Sequence, residues 1–254
     1  MKDPVFEGVA TAIVTPFNQG TIDFPVMNRL LDLQLAAGVD AIVVCGTMTD
    51  NEKLALIAHT VQYCAGRCKV IAGTGTNDTA HSLQLSRVAA SMGADAVLMV
   101  TPYYNKCTQA GLIAHYTAAA DTLPCPVIVY NVPSRTGVDV SVETCRVLAG
   151  HPNIGGIKEA SGSVPKAAHI LDACGDELPV WSGNDDLTVP LLSLGAKGVI
   201  SVLSNVRPKR TLQMVRACQA GDYAAAGRMQ VALTPLIDAL FSEINPIPVK
   251  QALT

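Results

Sequence analysis

Two periodicities alternate along the chain. Short runs dominated by Val, Ile and Ala recur at Val9–Thr15, Ala41–Cys45, Val70–Gly73, Ala96–Thr101, Val127–Tyr130, Ile154–Lys158, Val180–Ser182 and Gly198–Ser201. Runs of this kind, apolar without alternation, are strands buried on both faces. Amphipathic stretches of helical period separate them: Val26–Ala37, Leu54–Ala65, Thr79–Met92, Leu112–Thr122, Val142–Ala149, Pro165–Ala173, Leu187–Leu194 and Lys209–Ala220. Most end at a glycine, such as Gly38, Gly66 or Gly93, which suits a left-handed helix cap. Eight strands alternate with eight helices, each crossover long enough for a parallel connection. That count predicts a closed (β/α)8 TIM barrel over residues 1–221, with an open doubly wound sheet as the alternative. A further helical stretch, Tyr223–Phe241, leads to Asn245-Pro246-Ile247-Pro248. Residues 222–254 are therefore expected to form a short C-terminal helical region.

Composition narrows the functional classes. With 254 residues, 49% hydrophobic and 15% charged, the chain can build one large core. A net charge of −3 and the lack of a Lys/Arg run argue against nucleic acid as a partner. No apolar run approaches transmembrane length, and the amino terminus lacks the charged-then-apolar pattern of a signal peptide. The eight cysteines are scattered, only Cys64 and Cys68 lying close together, and the five histidines form no His-x-x-x-His pair. Reduced thiols in a cytoplasmic protein, with no metal and no organic cofactor, are expected.

Barrel chemistry sits at the carboxyl ends of the strands. The sixth run ends in Lys158-Glu159. Low-dielectric surroundings at a buried strand end disfavour an ammonium, and a free amine is what Schiff-base chemistry on a ketone requires. The plain alternative is a lysine with its head group in water. Tyr103, Tyr104, Tyr130, Arg135 and several hydroxyls follow other strands, so they converge on the same mouth and favour a nucleophilic Lys158. Gly73-Thr74-Gly75 also follows a strand, but Asp78 stands where a dinucleotide loop has its third glycine, so a tight turn is expected.

These motifs occur in a telling order: Ala72-Gly73-Thr74-Gly75, Val100-Thr101-Pro102-Tyr103-Tyr104-Asn105, Tyr130-Asn131-Val132-Pro133-Ser134-Arg135-Thr136-Gly137, Gly156-Ile157-Lys158-Glu159-Ala160 and Asn245-Pro246-Ile247-Pro248-Val249-Lys250. In them the chain resembles, from about Phe6 to Lys250, the dihydrodipicolinate synthase (4-hydroxy-tetrahydrodipicolinate synthase) family of pyruvate-dependent class I aldolases. The resemblance implies that pyruvate and L-aspartate 4-semialdehyde are condensed in lysine and diaminopimelate biosynthesis. It makes Lys158 the imine-forming residue and Tyr130 its acid–base partner. Thr47 and a Tyr104 from a neighbouring subunit would complete a proton relay, and the family's usual homotetramer is expected by the same resemblance. Gly183 and Ile200 match pyruvate-pocket positions, and Arg135 matches the residue that holds the semialdehyde carboxylate, a task suited to a planar guanidinium. Asn77, Tyr103 and His81 match positions of a lysine-binding allosteric site, with His81 where an acid is common. Sister aldolases acting on sugar acids share the Lys and Tyr but usually lack Ser134-Arg135-Thr136.

One departure stands out. The family's second strand ends in Gly-Thr-Thr-Gly-Glu, whereas Gly46-Thr47 runs directly into Met48-Thr49-Asp50-Asn51-Glu52, leaving the loop about half a dozen residues short. Either the segment is deleted, or a stretch is missing from the 254 residues. A true deletion would impair condensation and leave a keto-acid-binding relative without turnover as a further alternative. Family members also continue past the Asn-Pro-Ile-Pro motif, so residues 222–254 are expected to be the start of a helical region cut short here.

Overall fold

A computed structural model describes residues 2–44 and 48–254. The strands are β1 (Gly8–Ala12), β2 (Phe17–Asn18), β3 (Thr21–Ile22), β4 (Ala41–Val44), β5 (Lys69–Gly73), β6 (Ala96–Val100), β7 (Val127–Asn131), β8 (Ile154–Glu159), β9 (Val180–Ser182) and β10 (Gly198–Ser201). Eight of them close a parallel barrel in the order β1-β10-β9-β8-β7-β6-β5-β4, with β4 pairing back to β1. The closed barrel is thus the correct alternative, and the open sheet is not. Helices follow the barrel strands, and two more, Tyr223–Leu240 and Ile247–Gln251, form the C-terminal part.

The barrel strands carry two apolar layers. Residues such as Val97, Val127, Ile154 and Ile157 pack outwards against the helices, while Ala10, Val43, Leu98, Ile128, Trp181 and Ile200 fill the interior. At the amino-terminal end Phe6 stacks on Trp181 with ring centroids 5.0 Å apart, and the Trp181 indole donates to the Phe6 carbonyl. That plugs the bottom and leaves the carboxyl end open.

One irregularity decides which way β8 points. Val127 pairs with Ile154, but the next residue, Ile128, pairs with Gly156, so Gly155 is an inserted bulge residue. Strand side chains alternate, so one extra residue exchanges the two faces beyond it. Ile154 and Ile157 both face outwards across the bulge, and Lys158 then faces the interior. Without the bulge Lys158 would point at the helices. Gly156 has φ +142°, and a Cβ there would lie 2.4 Å from the Pro179 carbonyl oxygen and 2.5 Å from Trp181. Only glycine suits the position. Lys2 Nζ steadies the approach to this bulge by donating to the carbonyls of Ala149, His151 and Ile154.

Several boundaries differ from the sequence expectation. The first strand stops at Ala12 because the chain then turns into the β2–β3 hairpin, whose loop residues Gln19 and Gly20 both have positive φ. The second helix begins at Asp50, four residues before the expected Leu54. Thr49 and Glu52 form a capping box there. Leu187–Leu194 is a 3-10 turn followed by the helix Thr188–Ser193. Cys45 lies outside the described residues.

Candidate active site

Lys158 and Tyr130 are register partners on β8 and β7. Lys158 is only 6% exposed, and its Nζ lies 4.2 Å from the centroid of the Tyr130 ring. The amine is therefore inside the barrel mouth rather than snorkelled into solvent. Gly183, just past β9, makes room for it. Its N–H donates to the Glu159 carbonyl at 2.7 Å, and a Cβ there would come within 2.5 Å of the Ala160 methyl and 3.1 Å of Lys158 Cε. Ile200 is buried inside the barrel on β10, paired with Ala10, in the same apolar cluster as Tyr130.

Two cavities meet at Tyr130, Arg135, Met48 and Leu98. One, of about 240 Å³, contains Lys158 and is walled by Ala12, Thr15, Phe17, Val43 and Asn245. That is below the range usual for drug-sized ligands and suits a molecule of a few heavy atoms. The other, of about 490 Å³, is lined by Lys53, Gly75, Thr76 and Tyr103. Arg135 rides on the short helix Pro133–Thr136, is exposed at the entrance, and donates from Nη2 to the Asn245 carbonyl at 3.2 Å. Its position connects the β7 loop with the C-terminal Asn-Pro-Ile-Pro segment.

Behind Lys158, Asp185 is 2% exposed, and its Oδ2 accepts from the N–H groups of Val202 and Leu203, both at 2.9 Å. Burial pushes this carboxyl up, against the opposing pull of the Ser201 hydroxyl, those two amides and the nearby Lys158. Gln230 of the C-terminal helix donates to the Asp185 carbonyl, so that helix also braces the β9 loop.

Other expected residues stand apart within one chain. Tyr104 is 89% exposed with φ +74°, and it lines neither cavity. Tyr103 does line the larger cavity; Asn77 is exposed, and His81 Nε2 lies 2.7 Å from Asp50 Oδ2. Thr47 lies outside the described residues. Gly75 shows why the Gly73-Thr74-Gly75 turn is glycine-rich, since a Cβ there would sit 2.4 Å from the Val100 nitrogen. Lys53 and Phe17 line the cavities without having stood out in the sequence. For Lys53 a signal existed: it shares the buried helix face of Leu56, Ile57 and Thr60, where a lysine is out of place.

A family model, the dihydrodipicolinate synthetase family, matches residues 5–254. The chain belongs to this family. A 4-hydroxy-tetrahydrodipicolinate synthase from Exiguobacterium sibiricum is 50% identical, covering 98% of this chain and 87% of the relative. A dihydrodipicolinate synthase crystal structure from Aquifex aeolicus superposes with a TM-score of 0.95 at 41% identity, covering 97% of this chain and 87% of that one. A chloride-inhibited dihydrodipicolinate synthase from Acinetobacter baumannii, complexed with pyruvate, gives 0.95 at 38% identity, covering 98% and 88%. The alignment to the Exiguobacterium relative runs to 256 positions while using 98% of 254 residues, so about seven of its positions have no counterpart here.

Among the described residues no helix is long and apolar enough to cross a membrane, and no three His, Cys, Asp or Glu side chains are grouped to hold a metal.

Proposed function

We propose that this family member is a 4-hydroxy-tetrahydrodipicolinate synthase, condensing pyruvate with L-aspartate 4-semialdehyde through an imine on Lys158. The observation that carries the reading is the buried Lys158 amine against Tyr130 in a small cavity, with Arg135 at its entrance. Lys158 Nζ adds to C2 of pyruvate, the carbonyl oxygen takes up protons and leaves as water, and an imine forms. Loss of a proton from C3 gives the enamine, whose C3 attacks the semialdehyde carbonyl carbon. The amino group of the semialdehyde then adds to C2 and displaces Lys158, which regenerates the amine. Tyr130 is the residue placed to pass these protons. Gly183 keeps space beside Lys158 for the adduct.

Arg135 is the carboxylate clamp for the second substrate in this scheme. Arg135→Ala is expected to raise KM for the semialdehyde roughly 10–100-fold, the worth of a charged hydrogen-bonded pair. The borohydride-trapped pyruvate adduct should form as in the wild type. A steady-state assay varying each substrate tests this, and an unchanged KM for the semialdehyde would remove Arg135 from the role and favour a sugar-acid substrate.

The exposed, left-handed Tyr104 supports its use by a neighbouring subunit, with Thr47 in the same relay. We therefore include a homotetramer, in the cytoplasm, in the reading. Sedimentation should give four chains per particle, and a stable, fully active monomer would rule out the shared relay. Asn77, Tyr103 and His81 remain the proposed lysine site, with His81 engaged by Asp50 instead of presenting an acid.

A further inference from the structure

A buried polar network lies on the outer side of the two strands that carry the site. Asn131 and Glu159 follow Tyr130 and Lys158, pair with each other across β7 and β8, and are 0% and 3% exposed. The Asn131 amide nitrogen donates to Glu159 Oε2 at 2.8 Å and to Asp139 Oδ1 at 2.9 Å. Its oxygen accepts from the Val140 N–H at 3.0 Å. Glu159 Oε1 accepts from the Ser161 N–H at 2.6 Å, and Asp139 is paired with Lys166. Both hydrogens and the oxygen of one amide are thus in use. They tie together the strand of Tyr130, the strand of Lys158 and the Asp139–Val140 segment, which follows the short helix bearing Arg135.

We propose that Asn131 is a positioning residue: its amide cross-links β7, β8 and the Arg135 loop, and so holds Lys158 and Tyr130 at reacting distance. The inference rests on the aldolase reading above. The residue type follows from its partners. A carboxylate at this position would face two other carboxylates, and an apolar side chain would leave Glu159 Oε2 and the Val140 N–H buried without partners. The neighbouring side chains Tyr130 and Lys158 point the other way, so the network touches no substrate and acts only through where it holds the strands.

The test compares wild type, Asn131→Asp, Glu159→Gln and the double variant for the rate of pyruvate adduct formation on Lys158 (timed borohydride trapping), for kcat and KM, and for thermal unfolding. Each single variant sets like groups against each other and is expected to slow adduct formation and kcat roughly 10–100-fold, with KM for pyruvate shifting much less. The double variant exchanges donor and acceptor, since the new amide donates where the old carboxylate accepted and still accepts from Ser161. It should recover part of the lost rate, because the contact with position 159 is restored while the carboxylate at position 131 still faces Asp139. If Asn131→Asp fails to fold, Glu159→Gln alone carries the comparison. Folded single variants with wild-type adduct rates and a lowered melting temperature would make the network purely structural and overturn the inference. No adduct in the wild type would overturn the aldolase reading itself, a distinct result.

Discussion

Lys158→Ala is expected to abolish the pyruvate adduct and to cut turnover by roughly 10³-fold or more, because no other group replaces a covalent amine nucleophile. The fold should survive. Lys158 already borders a cavity, so truncation enlarges an existing space instead of opening a new one. Circular dichroism and thermal unfolding close to wild type, combined with an absent adduct, is the expected pair of results. An alanine variant that still traps pyruvate and turns over near the wild-type rate would show that the chemistry lies elsewhere.

Gly156→Ala is expected to damage both the fold and the site. The alanine methyl would meet the Pro179 carbonyl and the Trp181 ring at 2.4 and 2.5 Å, from a backbone held at φ +142°. Backbone strain and overpacking each cost roughly 1–3 kcal/mol, so the sum is about 2–6 kcal/mol. For a domain of this size that lowers the melting temperature by roughly 4–24 °C. Activity should fall further than stability, because relaxing the bulge turns Lys158 away from the cavity. Gly162→Ala is the control: its φ is +82° but nothing lies within 4 Å of the added methyl, so the loss should be about 1 kcal/mol with activity kept. Equal effects at the two glycines would mean that crowding and the bulge do not matter.

The barrel itself was legible because strands buried on both faces read as Val/Ile/Ala runs that contrast sharply with helical period. Lys158 and Tyr130 were legible as polar residues closing such runs, and Arg135 as a cation in the loop that follows one. The direction of Lys158 was not. Ile154–Lys158 reads as an unbroken strand, and simple alternation puts Lys158 on the face of Ile154, which packs against helices. The bulge that corrects this depends on how Gly156 meets Trp181 and Pro179, contacts made by a strand distant in sequence. The Asn131–Glu159–Asp139 network was hidden for the same reason, since its members come together only after β7 and β8 pair. The hairpin after Ala12 could have been read from Gln19-Gly20, and the early start of the second helix from Thr49 and Glu52, both local signals outweighed by the apolar pattern around them. Tyr104 is exposed in the single chain, so the relay proposed for it would need a neighbouring subunit.

The most direct test of the account is intact-protein mass spectrometry after incubation with pyruvate, with and without borohydride, followed by peptide mapping. One reduced pyruvate adduct per chain is expected, confined to the peptide containing Lys158. The untreated mass also shows whether the chain is the 26.5 kDa of these 254 residues or is longer after Thr47. A chain carrying the missing segment that forms no adduct, or forms it on another lysine, would contradict the central claim. A chain truly lacking that segment and forming no adduct would identify a keto-acid-binding relative that has lost the reaction.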